Sequence, residues 1–532
     1  MSYKHPQYYE NDLQPVQIDR ETLLEALGQF RSATLRGVDL IQAGSPPFGE
    51  WDHGGMFSGI PGIALAFLRL ARQTASLTEE NGSPLPDFLN LAKQRIPPRG
   101  PDVPMHAAML SPVGSSSCLT AVVLRILAVT EGDANGTVSK DDITCLEKAV
   151  GLALASPRMV SHRGKTMGCD EVLYGRAGLL WALVNLRAHM FDQATTDALV
   201  PIFESVPKLV DVLINSGRQG SEVYIKEYGE QTALPLMWEW MEGRFGLGAV
   251  HGIKVSTNVK TAGILTVLLA CRNDELDDGV SRNYLPWIAD TITGISRLCI
   301  ANKGHLPISI PQLASSRPSP LVQICHGSPA ILVLLACAKR DNHLSFYFWR
   351  PEWDEAIRLA TERVWEQGLL SKGGCLCHGI AGNAWPLLLL HDCFEYNKEL
   401  SQRAKRNYRE RSHTTDVARA ADSLTGDYFL SRALAFLLHA RETPPYSRPP
   451  NSSLKDYRMP DSPYSLFEGL AGTVCAWTEA CAVIQTRLRK MELEEERAGS
   501  RTSPENDEVF EKLSLLQLGF PGLGGYGPNG LF

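Results

Sequence analysis

One pattern recurs along this chain and constrains its fold more than any other: a short glycine loop followed at once by an apolar run. Gly54-Gly55-Met56-Phe57-Ser58-Gly59-Ile60-Pro61-Gly62 opens onto Ile63 to Leu68, and Tyr174-Gly175-Arg176-Ala177-Gly178 onto Leu179 to Leu186. His251-Gly252 reaches Ala262-Gly263-Ile264-Leu265 after an interruption, and His326-Gly327-Ser328-Pro329 leads into Ala330 to Ala336. His378-Gly379-Ile380-Ala381-Gly382 leads into Asn383 to Leu390, and Glu468-Gly469-Leu470-Ala471-Gly472 into Thr473 to Trp477. With a degenerate member at Ser111-Pro112-Val113-Gly114, the pattern gives seven units, mostly 50 to 90 residues apart. Each has room for one inner helix, one outer helix and loops. Alternating strand-like runs are almost absent. Helical units repeated in this way cannot bury their apolar faces singly, which predicts an all-α repeat array. If the array closes on itself, the inner helices form a barrel and the Gly-x-x-Gly loops gather at one end. Glycine there permits close approach of backbone to a neighbour or ligand.

Composition removes several function classes. A net charge of −7 argues against a general nucleic-acid binder. Hydrophobic content of 44% with 21% charged residues is that of a soluble globular chain. No apolar stretch approaches the roughly 20 residues of a membrane span, since Ile331 to Ala338 stops at Lys339. The opening Met-Ser-Tyr-Lys-His-Pro-Gln lacks the apolar core of a signal peptide. Twelve cysteines in 532 residues are too sparse for a disulfide scaffold. The expected compartment is therefore the reducing cytoplasm or nucleus, where thiols stay available for metal or chemistry.

Two of the loops carry more than glycine. Gly373-Gly374-Cys375-Leu376-Cys377-His378-Gly379 and Ile324-Cys325-His326-Gly327 each place a Cys-His pair just ahead of a glycine and an apolar run. The pairs lie 52 residues apart, so no zinc-finger hairpin joins them, and only the fold can bring them together. Thiolate and imidazole are the ligands zinc prefers: three with an open fourth position suit catalysis, and four closed ones suit a structural role.

The set Gly-Cys-Leu-Cys-His-Gly-Ile-Ala-Gly-Asn-Ala-Trp, Leu-Val-Gln-Ile-Cys-His-Gly-Ser-Pro and Gly-Ala-Val-His-Gly resembles the eukaryotic lanthionine synthetase C-like (LanC-like) family. Glu171-Val172-Leu173-Tyr174-Gly175-Arg176-Ala177-Gly178 and Pro463-Tyr464-Ser465-Leu466-Phe467-Glu468-Gly469 fit the same pattern, in order from about residue 55 to 480. The resemblance implies an α/α toroid of about seven helical hairpins with one catalytic Zn2+ at the barrel mouth. It implies Cys325, Cys377 and His378 as the metal ligands. It implies addition of a thiol, glutathione in the eukaryotic branch, to dehydroalanine or dehydrobutyrine residues of proteins or peptides. His251 matches the family's acid/base histidine, and Glu171 stands where the bacterial cyclases carry an acidic partner. Lys372 and Arg458 match cationic residues that contact the two carboxylates of glutathione. His326 either orients the bound thiol or substrate or serves as a hydrogen-bond partner behind the ligands.

The organisation this implies is a flexible N-terminus over 1–15 and one LanC-like toroid domain over 16–490. Polar insertions are expected near 217–234, 397–425 and 441–454, then a charged mobile segment over 491–510 and a C-terminal tail over 511–532. The chain departs from the family in four places. About nine extra residues, Ile253 to Thr261, follow His251-Gly252; Ile324 stands where the family has Trp; Ala330 replaces a glycine; and the second unit has mostly lost its motif. None removes a metal ligand. Three competing readings remain: a thioether-forming peptide cyclase, a zinc- and glutathione-binding scaffold without catalysis, and a toroidal glycosidase. The last needs two facing carboxylic acids and has no use for Cys-His-Gly pairs.

Overall fold

The computed structural model describes residues 5–47, 55–79, 84–98, 104–114, 117–131, 137–241, 243–250, 261–312, 320–413, 424–447, 455–496 and 507–524. The fold is all-α. Among the described residues, sheet is confined to the hairpin Met159–His162 with Lys165–Gly168 and the short pair Phe245–Gly246 with Ser309–Ile310.

Two kinds of helix alternate, and their burial tells them apart. In Ile380–Glu395 every residue but Phe394 is buried, and in Ser328–Arg340 every residue but Arg340. A helix apolar all round must be packed on all sides. Arg20–Gly44 instead buries one stripe (Leu23, Ala26, Leu27, Phe30, Ala33, Val38, Ile41), and its Asp19 cap accepts the Thr22 N–H at 2.9 Å.

The most deeply buried helices contact one another in a closed circuit. It runs Ile60–Arg72, Leu119–Thr130, Arg176–Arg187, Thr261–Leu268, Ser328–Arg340, Ile380–Glu395, Leu470–Glu496 and back to Ile60–Arg72. Outer helices pack behind them: Lys140–Ala155 on Leu119–Thr130, Val206–Tyr228 on Arg176–Arg187, Pro351–Gln367 on Ser328–Arg340 and Gly426–Ala440 on Ile380–Glu395. The first outer helix, Arg20–Gly44, lies against the last inner one, Leu470–Glu496. The approach is close: a Cβ at Gly37 would stand 2.5 Å from Val474 Cγ2. The two ends of the sequence therefore lock the ring.

The structure corrects four expectations. The polar stretch 217–234 is not an insertion, because Val206–Tyr228 is one helix that buries Gly217, Gly220, Ser221 and Tyr224. From Ser216 to Ser221 its buried face is small rather than aliphatic, which lets the Trp238 ring come within 2.7 Å of where a Gly217 Cβ would be. The N-terminal residues from 5 onward are held rather than loose: Tyr9 N–H donates to Leu369 O (2.8 Å), the Asn11 side chain to Trp365 O (2.7 Å) and Val16 N–H to Ser431 O (3.0 Å). The expected mobile segment begins as helix, since Leu470–Glu496 runs through residues 491–496, and Arg489 bridges to Asp507 at 2.7 Å; residues 497–506 of it lie outside the described residues. The C-terminal tail is a short exposed helix, Glu508–Ser514, followed by a buried stretch from 517 to 524. Lys398–Ser412 is the solvated helix expected there, with Ala404 alone buried. From Arg441 to Ser447 the backbone forms turns, and the rest of the 441–454 stretch lies outside the described residues.

Candidate metal centre

The glycine loops owe their recurrence to one steric fact. A Cβ at Gly382, third residue of its helix, would fall inside the Leu376 carbonyl oxygen, six residues earlier. The preceding loop folds back over the helix start so tightly that only hydrogen fits. The same offset of six recurs at Gly62, Gly178 and Gly472, whereas Gly263 meets the carbonyl of Ala249, fourteen residues back. The glycine-to-carbonyl contact is therefore kept in this unit although the offset is longer.

Neighbouring loops are stitched together by main-chain hydrogen bonds. Ala249 N–H donates to Ile324 O (3.3 Å), Cys325 N–H to Cys377 O (3.4 Å), Cys377 N–H to Phe467 O (2.8 Å) and Phe467 N–H to Phe57 O (3.1 Å). Asn383 adds a side-chain tie, donating to Val322 O (3.2 Å) and Gly368 O (3.1 Å). This belt sets the two Cys-His loops side by side.

Cys325, Cys377 and His378 meet there. One ligand atom from each lies within 4.8 Å of the others, and all three residues are buried. The cluster can hold a metal ion. Its electrostatics show how crowded it is. The Cys325 thiol beside it, burial, and the charge of Cys375 and Glu468 push the Cys377 thiol well up. Burial alone lowers His378, but the neighbouring sulfurs of Cys375 and Cys325 outweigh it and lift the imidazole to about 10. A metal ion in this position displaces the protons these groups share. Cys325 Sγ also donates to Gln323 Oε1 at 3.4 Å.

The other expected site residues are placed in different ways. Lys372 is half-buried, and its charge acts on His378. Arg458 is exposed, and its N–H donates to Ser371 O at 2.8 Å, so the two cations come from adjoining strands of chain beside the cluster. His326 is buried, with its carbonyl accepting the Gln323 N–H at 3.2 Å. Glu171 is also buried, and its Oε2 accepts the N–H of Leu173 (2.7 Å) and Tyr174 (3.1 Å), closing its own loop. His251 and most of the segment after it lie outside the described residues.

Three residues escaped sequence reasoning. Glu468 faces Cys377 and was read only for the glycine after it. Asn383 binds two loops, and Cys375 sits beside His378 rather than in the three-atom cluster. In Cys375-Leu376-Cys377 the residue types alone do not say which sulfur turns inward; the family resemblance points to Cys377, which is the one in the cluster.

A closed circuit of helices whose loops gather two thiols and an imidazole defines a helical ring protein with a buried cluster that could hold a metal ion. The model of the lanthionine synthetase C-like protein family matches residues 134–431, more than half of the chain, and the chain belongs to that family. It is 26% identical over 330 residues to glutathione S-transferase LANCL1 of Danio rerio, covering 62% of each chain. Over 323 residues it is 26% identical to LanC-like protein GCL1 of Arabidopsis thaliana, covering 61% of this chain and 58% of that one. The matched region thus spans less than two thirds of either relative.

Proposed function

We propose that this chain is a zinc-dependent enzyme that adds the thiol of glutathione to dehydroalanine or dehydrobutyrine residues of proteins or peptides. One observation carries the reading: two thiols and an imidazole from loops 52 residues apart converge within 4.8 Å in a buried place. Donors bound to tetrahedral zinc at 2.0–2.3 Å stand roughly 3.5 to 4 Å from each other, so Cys325, Cys377 and His378 need only a small closing movement. Three protein ligands with an open fourth position are the pattern of a catalytic site. The name of the zebrafish relative, a glutathione S-transferase, supports the choice of thiol.

Bound zinc supplies a Lewis acid that keeps a thiol, with an ordinary pKa of about 8.5, ionised at neutral pH. The chain's own residues do the rest. Lys372 and Arg458 take the two glutathione carboxylates, the guanidinium offering a bidentate grip. The sulfur forms a bond to Cβ of the acceptor, the π pair moves to Cα, and Cα collects a proton. His251 is assigned that transfer, which suits a group titrating near neutrality. His326, next to a ligand, orients the thiol. We assign Glu171 to holding its loop rather than to proton transfer, because two backbone N–H groups already occupy one of its oxygens.

The test is incubation with glutathione and a dehydroalanine peptide, followed by mass spectrometry. A gain equal to glutathione is expected. An internal thioether with no gain points to a cyclase, and no product at all to a scaffold. His251→Ala is expected to keep its metal and slow the addition about 100-fold; undiminished turnover removes His251 from the mechanism. Lys372→Ala and Arg458→Ala are expected to raise KM for glutathione about tenfold, with little change for cysteamine, which has no carboxylate. Equal losses for both thiols count against the clamp.

A further inference from the structure

The last described stretch of the chain does not lie on the outside of the ring. After the exposed helix Glu508–Ser514, residues 517 to 524 are all buried. Their partners come from the inner circuit. Gln73 donates to Leu516 O and to Glu479 Oε2, both at 2.8 Å. Glu479 accepts the N–H groups of Leu518 (3.1 Å) and Gly519 (2.8 Å), and Arg69 donates to Gly519 O at 2.7 Å. Arg69 and Glu479 lie 3.6 Å apart and are fully buried. Phe520 sets its ring edge-on to Trp385, centroids 5.4 Å apart, and lies 6.3 Å from Phe467. At Gly522 an added Cβ would stand 3.4 Å from both Phe467 and Val113.

Depth along the ring follows from the rise of a helix, 1.5 Å per residue. Measured from the loop ends of their helices, Gln73 is about 20 Å down, Arg69 and Glu479 about 14 Å, Trp385 about 8 Å. Phe467 and Val113 are in the loops themselves. The chain therefore climbs from the far end toward the mouth, touching helices Ile60–Arg72, Ile380–Glu395 and Leu470–Glu496 and the loop before Leu119–Thr130. These four are consecutive around the circuit, and the face they share looks into the ring.

We propose that Gln517–Leu523 is the floor of the mouth: a specificity-determining strap that fixes how far an acceptor side chain can reach and closes the metal loops to water from below. Phe520 is its main wedge. It stacks toward Phe467, whose carbonyl holds the Cys377 N–H (2.8 Å), and Phe467 in turn stacks on Phe57 at 4.8 Å. The role in specificity rests on the thiol-addition reading given above; the floor itself does not.

Cys475 provides a probe independent of activity. It is fully buried, five residues into Leu470–Glu496 and so level with Trp385, and the charges of Arg69 and Glu479 act on it. The experiment treats the protein as purified, and its Phe520→Ala and Phe520→Leu variants, with N-ethylmaleimide and maps labelled cysteines by mass spectrometry. Thermal melting checks that each variant is folded. Phe520→Ala is expected to label Cys475 at least tenfold faster, while Phe520→Leu, which keeps most of the volume, stays close to wild type. Cys475 labelling no faster in folded Phe520→Ala overturns the floor. In the active enzyme, Phe520→Ala is expected to shift kcat/KM at least threefold toward acceptors with a bulky residue beside the dehydroalanine. An unchanged ratio with faster labelling overturns the specificity role. Faster labelling in a protein whose wild type forms no glutathione adduct upholds the floor and refutes the enzymatic reading instead.

Discussion

Cys377→Ala is expected to purify with less than about a tenth of the metal the wild type carries, because two protein ligands do not hold a transition metal as three do. The residue is buried, its N–H is held by Phe467 O and its carbonyl accepts from Cys325, so the loop keeps its path when the sulfur goes. The loss is therefore chemical rather than a collapse of the mouth. Cys475→Ala is the control: it removes an equally buried thiol that is not part of the three-atom cluster, and full metal content is expected. Metal analysis of the purified proteins decides the matter. Stoichiometric metal surviving in the Cys325→Ala, Cys377→Ala double variant rejects the site. Since metal binds the folded form, adding a chelator to the wild type is also expected to lower its melting temperature.

The second large effect is steric. Gly382→Ala is expected to destabilise the protein by about 3 kcal/mol or more and to lower its metal content. The added methyl would meet the carbonyl, carbonyl carbon and Cα of Leu376, all of them backbone. That backbone has little room to yield. Gly382 N–H donates to Cys375 O at 3.2 Å, and Cys377 N–H to Phe467 O at 2.8 Å. Any relief pushes directly on the two residues flanking Leu376, one of which, Cys377, belongs to the three-atom cluster. Gly151→Ala offers the contrast. It lies in Lys140–Ala155 with nothing within 4 Å of an added Cβ, so alanine there is expected to stabilise by about 0.5–1 kcal/mol. Wild-type melting and metal content in Gly382→Ala contradict the account of the glycine loops.

Much of the fold could be read in the chain because it repeats a local rule. The glycine offset of six recurs in four units beside strongly apolar runs, and Cys325, Cys377 and His378 stand out through their shared frame. What the sequence withheld depends on distant partners. The seating of Arg20–Gly44 against Leu470–Glu496 is decided by a single small residue, Gly37, facing Val474. Gly217 and Gly220 looked like solvent-side polarity because the face they bury is built for close approach to Trp238 and Met237, not for aliphatic packing. The stretch Gln517-Leu518-Gly519-Phe520-Pro521-Gly522-Leu523-Gly524 has the composition of an external loop, and only its reception by Arg69, Gln73 and Glu479 explains its burial.

The belt of main-chain bonds from Ala249 through Cys325 and Cys377 to Phe57 bears on how such a mouth can drift over evolutionary time. Its donors and acceptors are present in almost any amino acid, so side chains around the rim are free to be exchanged without shifting the sulfurs. Proline alone, lacking the donor hydrogen, breaks a link. A main-chain belt of this kind can therefore survive sequence divergence as wide as the 26% identity to the relatives compared above.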